Sequence, residues 1–168
     1  MTNSTISSRK LDHIQLAFEA QLSDVDRRFY YEPMLAAHPN LDVIPKIEVA
    51  GAVMLAPIWI SSMTGGAELA GKINLLLAEA CKNHGLGMGL GSCRPVLENS
   101  AFSNDFDIRK HIGEQPLFAN LGIAQIEELI ASNQLQKLID MVNRLQANGL
   151  IIHVNPLQEW MQPEGDRF

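Results

Sequence analysis

Four short apolar runs constrain this chain more than any other feature. Each breaks off at small or polar residues, and each is separated from the next by enough chain for a helix. The runs are Ile58-Trp59-Ile60, Leu86-Gly87-Met88-Gly89-Leu90, Gln115-Pro116-Leu117-Phe118-Ala119 and the closing stretch from Leu150 to Val154. Between the first two, Ile73, Leu76, Leu77, Ala80 and Cys81 recur at helical spacing until His84-Gly85 ends the pattern. A less regular helical region from about Val96 to His111 follows the second run. Ile126, Leu129 and Ile130, and then Leu135, Leu138, Ile139, Val142 and Leu145, form two stripes ahead of Asn148-Gly149 and the fourth run. Strands alternating with helices in this order predict an α/β fold with parallel strands joined by right-handed crossovers. An earlier strand-like stretch, Val43 to Val49, turns at Gly51 into Val53-Met54-Leu55. Residues 1–42 read as a leader or lid: a polar arm ending in Arg9-Lys10-Leu11-Asp12-His13, a short helical segment from Ile14 to Phe18, and a loop holding Pro33, His38 and Pro39.

Composition narrows the function classes. The 168 residues are 46% hydrophobic and 19% charged, which places the chain among globular proteins. A formal net charge of −6 argues against a general nucleic-acid partner, so an anionic ligand has to be held by local basic residues. Cys81 and Cys93 are too few for a disulfide framework and too far apart for a Cys-x-x-Cys site. The N-terminus lacks the pattern of a signal peptide, and no window has the apolar length of a membrane span. A cytoplasmic protein with no membrane partner is expected. No Gly-x-Ser-x-Gly elbow, His-Glu-x-x-His helix or phosphate-loop motif occurs, which removes support for serine hydrolase, zinc protease and nucleotide-triphosphatase chemistry.

Parallel α/β sheets place their sites at the C-terminal strand ends, and the candidate residues of this chain cluster there. Ser61-Ser62-Met63-Thr64-Gly65-Gly66 follows the first run, where hydroxyls and a helix start suit the polar edge of a planar ligand or serve as an ordinary N-cap. Gly85, Gly87, Gly89 and Gly91 fall on one strand face, a strip that needs a ligand, a helix or bulky neighbours to fill it. Ser92 and Arg94 lie just past it, and Arg94 suits a phosphate or a surface carboxylate. Asn120 ends the third run. His153 and Asn155 are expected to point inward from the fourth, with Gln158 and Glu159 on the loop that Pro156 bends.

Arg9-Lys10-x-Asp12-His13, Ser62-Met63-Thr64-Gly65-Gly66, Gly91-Ser92-x-Arg94, Ala119-Asn120-Leu121-Gly122, His153-Val154-Asn155-Pro156-Leu157-Gln158-Glu159 and Gln162-Pro163-Glu164-Gly165-Asp166 together resemble the type 2 isopentenyl-diphosphate isomerases. The resemblance implies a TIM (β/α)8-barrel enzyme that interconverts isopentenyl and dimethylallyl diphosphate, with reduced FMN, NADPH as reductant and Mg²⁺. It implies flavin contacts at Ser62, Met63, Thr64, Ser92 and Asn120. Substrate contacts are implied at Arg9, Lys10, His13, Ser92, Arg94, His153, Asn155 and Gln158. Gln158 and His153 fall in the catalytic group, and Glu159 resembles the Mg²⁺ ligand. Cys93 departs from the pattern, standing where the family usually has glutamine. A closed barrel of this type needs about 250 residues. The chain is therefore expected to carry the first four βα units, residues 43–168, behind the 1–42 leader. It then needs a complementary C-terminal half or a second copy to close it. Two other readings are a non-catalytic, self-associating half-barrel and a different FMN barrel, such as a hydroxy-acid oxidoreductase.

Overall fold

The computed structural model describes residues 11, 14–19, 34, 44–62, 68–98, 104–163 and 165–166. Most of the 1–42 leader, including Arg9, Lys10 and His13, lies outside the described residues, as do Met63 and Thr64. Residues 14–19 form a helix, α1, whose Ile14 packs on Ala70 and Ile73. A hairpin comes next, with β1 (Ile47–Val49) antiparallel to β2 (Ala52–Met54). Its two turn residues, Ala50 (φ 51°) and Gly51 (φ 78°), are both left-handed, the backbone that matches the twist of two tightly joined strands.

The remaining elements are β3 (Trp59–Ile60), α2 (Glu68–His84), β4 (Gly87–Gly89), α3 (Arg94–Glu98), α4 (Arg109–Ile112), β5 (Leu117–Gly122), α5 (Ile123–Ala131), α6 (Leu135–Arg144), β6 (Gly149–His153) and α7 (Pro156–Met161). Strands β3 to β6 form one parallel sheet in the order β3-β4-β5-β6, so each strand lies beside its predecessor in the chain. Crossovers of a single hand along such an unreversed order must all lie on the same side of the sheet. The core follows that rule. Met88, Leu90, Leu117 and Ala119 of β4, β5 and the segments flanking them are buried with Ala78 and Cys81 of α2, Phe106, Ile112 of α4, and Met141 and Leu145 from α6 and its end. Each such fully buried aliphatic or aromatic side chain contributes about 1.5–3 kcal/mol. Burial also pushes the Cys81 thiol up to about 11, which removes it from consideration as a nucleophile at neutral pH.

The alternate residues make the other face. Trp59 meets Phe118 edge-on, with ring centroids 5.3 Å apart, and Phe118 in turn covers Gly149. Gly87 leaves room for the Trp59 ring, while Gly89 leaves room for Ile151 and Ser62. The glycine strip is thus filled by bulky neighbours, one of the expected occupants. Only Gly87 and Gly89 lie on the strand. Gly85 (φ 66°) instead closes α2, where the Leu86 N–H reaches back to the Cys81 carbonyl, and Gly91 lies beyond β4.

Other boundaries moved for local reasons. The third strand runs over 117–122 and not 115–119, because Pro116 offers no N–H to the ladder, and five register pairs with β6 carry the strand on to Gly122. Asn120 therefore sits inside β5, opposite Ile151, and not at the strand end. The second stripe ends before Asn148-Gly149: Gln146 (φ 49°) takes the left-handed position, and the Ala147 N–H bonds to the Val142 carbonyl. Within that stripe Leu135 and Ile139 are exposed, and Met141 takes the core position. The region from 96 to 111 resolves into the two short helices α3 and α4.

Arg109 ties the N-terminal strand ends together. Its Nη1 donates to the Gly113 and Gln115 carbonyls (both 2.9 Å), its Nε and Nη2 to the Gln146 carbonyl (2.9 and 2.6 Å), and its Nη2 also to Asn148 Oδ1 (2.8 Å). Asn148 Oδ1 also accepts from the Leu117 N–H at 3.0 Å, and the Asn148 N–H returns to the Leu117 carbonyl at 2.7 Å. Burial lowers the Arg109 pKa, opposed by the charge of Glu114, yet the guanidinium stays protonated. A lysine cannot serve this forked set of acceptors. Arg109→Lys is expected to cost about 2 kcal/mol, read as a lowered midpoint in urea unfolding, since hydrogen bonds to charged groups are worth about 1.5–3 kcal/mol. An unchanged midpoint would show that the clamp is dispensable.

Candidate functional site

The C-terminal ends of β4, β5 and β6 carry a connected polar circuit. After β4, Ser92 Oγ accepts from the Arg94 N–H at 3.5 Å, a long contact at the opening of α3. Arg94 directs Nε to Glu98 Oε1 (2.8 Å) and Nη1 to both carboxylate oxygens of Asp166 (3.0 and 3.3 Å). Gln125, in the first turn of α5 after β5, donates Nε2 to Asp166 Oδ2 at 2.6 Å. The Asp166 N–H donates to Glu159 Oε2 at 2.9 Å. Asn155 Nδ2 donates to Glu159 Oε1 and to Gln158 Oε1, each at 3.1 Å. Asp166 is therefore the hub that links three successive strand-to-helix junctions.

This arrangement brings together Ser92, Arg94, Asn155, Gln158 and Glu159 of the residues expected from sequence. Asn155 reaches it by a route other than strand alternation. The strand ends at His153, and Asn155 (φ −140°, ψ 55°) is the N-cap position of α7, with Pro156 locking the first helical residue. His153 lies in register with Gly122 but is exposed, and its side chain makes no hydrogen bond among the described residues. Arg9, Lys10, His13, Met63 and Thr64 fall outside the described residues.

A second cluster lies beside Gly89 on the sheet face opposite the helices. Ser62 follows β3 and presents a buried Oγ that has no hydrogen-bond partner among the described residues. Buried hydroxyls are ordinarily satisfied, so this one marks a place where a polar ligand atom fits. Asn120 shares the face of Phe118 by strand alternation and is only 3% exposed. Its carbonyl accepts the Cys93 N–H at 2.8 Å, tying the β4 exit to β5. The Cys93 side chain itself is buried in the helix-side core, with Sγ 3.4 Å from the Gly91 carbonyl.

Electrostatics limit what the circuit binds unaided. Burial alone would lower the Arg94 pKa, but the hydrogen bond to Glu98 and the charges of Asp166 and Glu98 outweigh it and raise the pKa. Among the described residues of the circuit, one guanidinium stands with the carboxylates of Glu98, Asp166 and Glu159, so an anionic ligand needs a cation brought with it or supplied by other residues. Among the described residues no group of three or more His, Cys, Asp and Glu gathers into a metal site. A lone carboxylate completed by a ligand's own oxygens remains a normal way to hold Mg²⁺. Both Glu159 oxygens are oriented by N–H donors, as ligating carboxylates usually are.

Sequence reasoning named Asp166 only as the end of the Gln162–Asp166 motif, with no role of its own, and did not single out Gln125. Asp166 carried a signal in hindsight: Gly165 precedes it, and a Cβ there would strike the Glu159 carbonyl, so glycine permits the return of the chain onto α7. At the other end of the strands, Arg109, Lys110, Gly113, Glu114, Gln146 and Asn148 line an open basin of about 490 Å³. Its main cation is consumed by the backbone clamp, and that end of a parallel sheet serves stability.

The sheet order and the polar strand ends define a parallel α/β protein with its candidate site at the C-terminal edge. Comparison with known proteins is more particular. Over 165 residues the chain is 38% identical to a Nostoc protein named isopentenyl-diphosphate delta-isomerase, covering 95% of this chain and 46% of the relative. Proteins of the same name from Cronobacter sakazakii (39% over 174 residues, 99% of this chain, 49% of the relative) and Ignicoccus hospitalis (38% over 166 residues, 95% and 45%) match in the same way. The chain is thus homologous along most of its length to proteins of that name, and it spans about half of their length. No protein-family model matches it. No helix among the described residues is long and apolar enough to cross a membrane.

Two outcomes test the geometry. Asp166→Ala removes a partly exposed ion pair and the Gln125 acceptor. It is expected to lower stability by about 1 kcal/mol in chemical unfolding and to raise hydrogen exchange at Gln125 and in α7; no change at either place would mean that the circuit is not formed in solution. Gly89→Ala puts a methyl 2.5 Å from Ser62 Oγ and 2.8 Å from Ile151 Cδ1, and is expected to cost about 1–3 kcal/mol in the same assay.

Proposed function

We propose that this chain provides half of an FMN-dependent, type 2 isopentenyl-diphosphate isomerase, built on a (β/α)8 barrel whose first four units are β3 to β6 with their helices. The observation that carries the reaction is the 38% identity over 165 residues to a protein named for it. The barrel is supported by the unreversed parallel order with α2 to α6 packed on one face, the arrangement that closes on itself when four more strands follow. The reaction interconverts isopentenyl and dimethylallyl diphosphate by adding a proton at one alkene carbon and removing another two carbons away, with no net redox change.

In this reading, Ser62 and Asn120 hold the polar edge of FMN, with Met63, Thr64 and Ser92 completing the contacts. The buried Ser62 hydroxyl, which has no hydrogen-bond partner among the described residues, supports that placement. When bound at these residues and kept reduced by NADPH, FMN would supply acid–base chemistry for the proton transfer. Arg94 would bind the diphosphate by exchanging Asp166 or Glu98 for phosphate oxygens, and Glu159 would hold Mg²⁺, which would offset the negative charge of the diphosphate. Arg9, Lys10 and His13 supply the further positive charge that the carboxylate-rich circuit requires. Gln158, His153 and Asn155 fix the reacting end of the substrate so that proton transfer occurs in one geometry. The protein acts in the cytoplasm, as a closed assembly with a complementary half or a further copy.

The test is anaerobic titration of the chain, closed by its complementary half, with reduced FMN, followed by an NMR assay of alkene isomerisation with and without Mg²⁺. Flavin uptake and turnover are expected, and absence of both sinks the reading. Glu159→Gln is expected to raise the Mg²⁺ concentration needed for half-maximal rate by about 10–100-fold with flavin binding unchanged. An unaltered Mg²⁺ dependence would remove Glu159 from the metal role.

A further inference from the structure

We infer that Asp166 and Gln125 form a catch on Arg94. The Asp166 carboxylate occupies the guanidinium until a diphosphate arrives, Gln125 then keeps the displaced carboxylate, and the pair thereby sets how tightly the anion is held. The inference rests on the reading of Arg94 as a diphosphate ligand, and it adds two positioning residues and the sign of their effects.

The first argument is the geometry at the guanidinium. The strong pairing of arginine with a carboxylate or a phosphate is a fork, in which two parallel N–H donors meet two oxygens. Arg94 does not make that pair with Asp166. Its Nη1 alone is shared between the two Asp166 oxygens at 3.0 and 3.3 Å, and among the described residues Nη2 has no acceptor. A phosphate group brings the second oxygen to Nη2 and replaces the shared contact by a fork. Glu98 stands differently. It lies four residues along the same helix and bonds Nε at 2.8 Å, so it orients the guanidinium and leaves the end-on pair, Nη1 and Nη2, to another ligand. Asp166 is therefore the carboxylate that gives way.

The second argument is that the displaced carboxylate already has a donor. Gln125 Nε2 reaches Asp166 Oδ2 at 2.6 Å, the shortest bond of the circuit, and that bond does not involve Arg94. The Asp166 side chain is 29% exposed, so water reaches it only in part and a retained amide donor lowers the cost of leaving the cation.

The third argument is that one side chain has to turn and no loop has to move. The Gly165 N–H donates to the Gln162 carbonyl at 3.0 Å, and the Asp166 N–H to Glu159 Oε2 at 2.9 Å. Gly165 also lies so close to the Glu159 carbonyl that a Cβ there would strike it. The main chain is thus anchored on both sides of the Asp166 nitrogen, and the carboxylate pivots from that fixed point.

Two substitutions at one contact then act in opposite directions. Without its charge, position 166 no longer competes with an anion for Arg94. Without Gln125, the carboxylate loses its second donor and stays on Arg94. A merely structural role would weaken binding in both cases.

The experiment is calorimetric titration of the chain with inorganic pyrophosphate in Mg²⁺-free buffer at two salt concentrations, with thermal melting of every variant alongside. Asp166→Asn keeps the side-chain size, an oxygen for Gln125 and the N–H to Glu159. It is expected to tighten pyrophosphate binding about 2–5-fold, with a smaller gain at the higher salt. Gln125→Ala is expected to weaken binding about 2–5-fold, and to have no effect when Asp166→Asn is already present. Asp166→Asn that melts as before and binds no more tightly overturns the inference. So does Gln125→Ala with equal effect in both backgrounds, or a chain that binds no pyrophosphate. Binding that survives Arg94→Gln removes Arg94 from the anion, and the inference falls with that assignment. Absence of turnover in the isomerisation assay, with the two opposite shifts present, would sink the enzymatic reading and leave the catch standing.

Discussion

The structure depends on a constraint of handedness. Right-handed connections between parallel strands laid down in chain order send every helix to the same side of the sheet. From this follow the one-sided core of Met88, Leu90, Leu117 and Ala119 against α2, α4 and α6, and the opposite face closed locally by Trp59, Phe118 and Ile151. The same geometry aligns all four strand exits. Residues as distant in sequence as Arg94 and Asp166 then meet within hydrogen-bond distance without any segment that travels far to join them.

Among the described residues, a hydrogen-bond hub unites the strand exits. Asp166 takes donors from Arg94 and Gln125 with its carboxylate and gives its own N–H to Glu159. A change in what Arg94 binds is thereby felt at Glu159 through two contacts. The residues assigned to the anion and those assigned to the metal are coupled by covalent continuity at one backbone position. The excess of carboxylate over guanidinium makes that coupling electrostatic as well as geometric.

Much of this was legible in the sequence, and the failures have definite causes. The βα rhythm and the four parallel strands could be read because period-two and helical patterns are set by which face is buried, and here each face has one fate. Element ends were misplaced where a single residue overrides pattern: Pro116 withholds an N–H from the strand, and Gln146, after α6, accepts a left-handed backbone that composition would assign to glycine. Ser92, Arg94, Asn155, Gln158 and Glu159 were found because polar residues just beyond an apolar run stand out. Gln125 and Asp166 were not, because a glutamine on a helix and an aspartate in a tail carry no sign of each other until the fold sets them 2.6 Å apart. Asn155 was found for a mistaken geometric reason, since it heads α7 and does not continue β6.

The Arg109 clamp has a consequence for how such a scaffold changes over time. Its five bonds fasten the chain at the end of the strands remote from Ser92, Asn155 and Glu159, and they use backbone carbonyls and one asparagine. Substitutions at the opposite rim can therefore alter ligand preference while the fastening keeps its grip, and drift in substrate choice need not be drift in foldability.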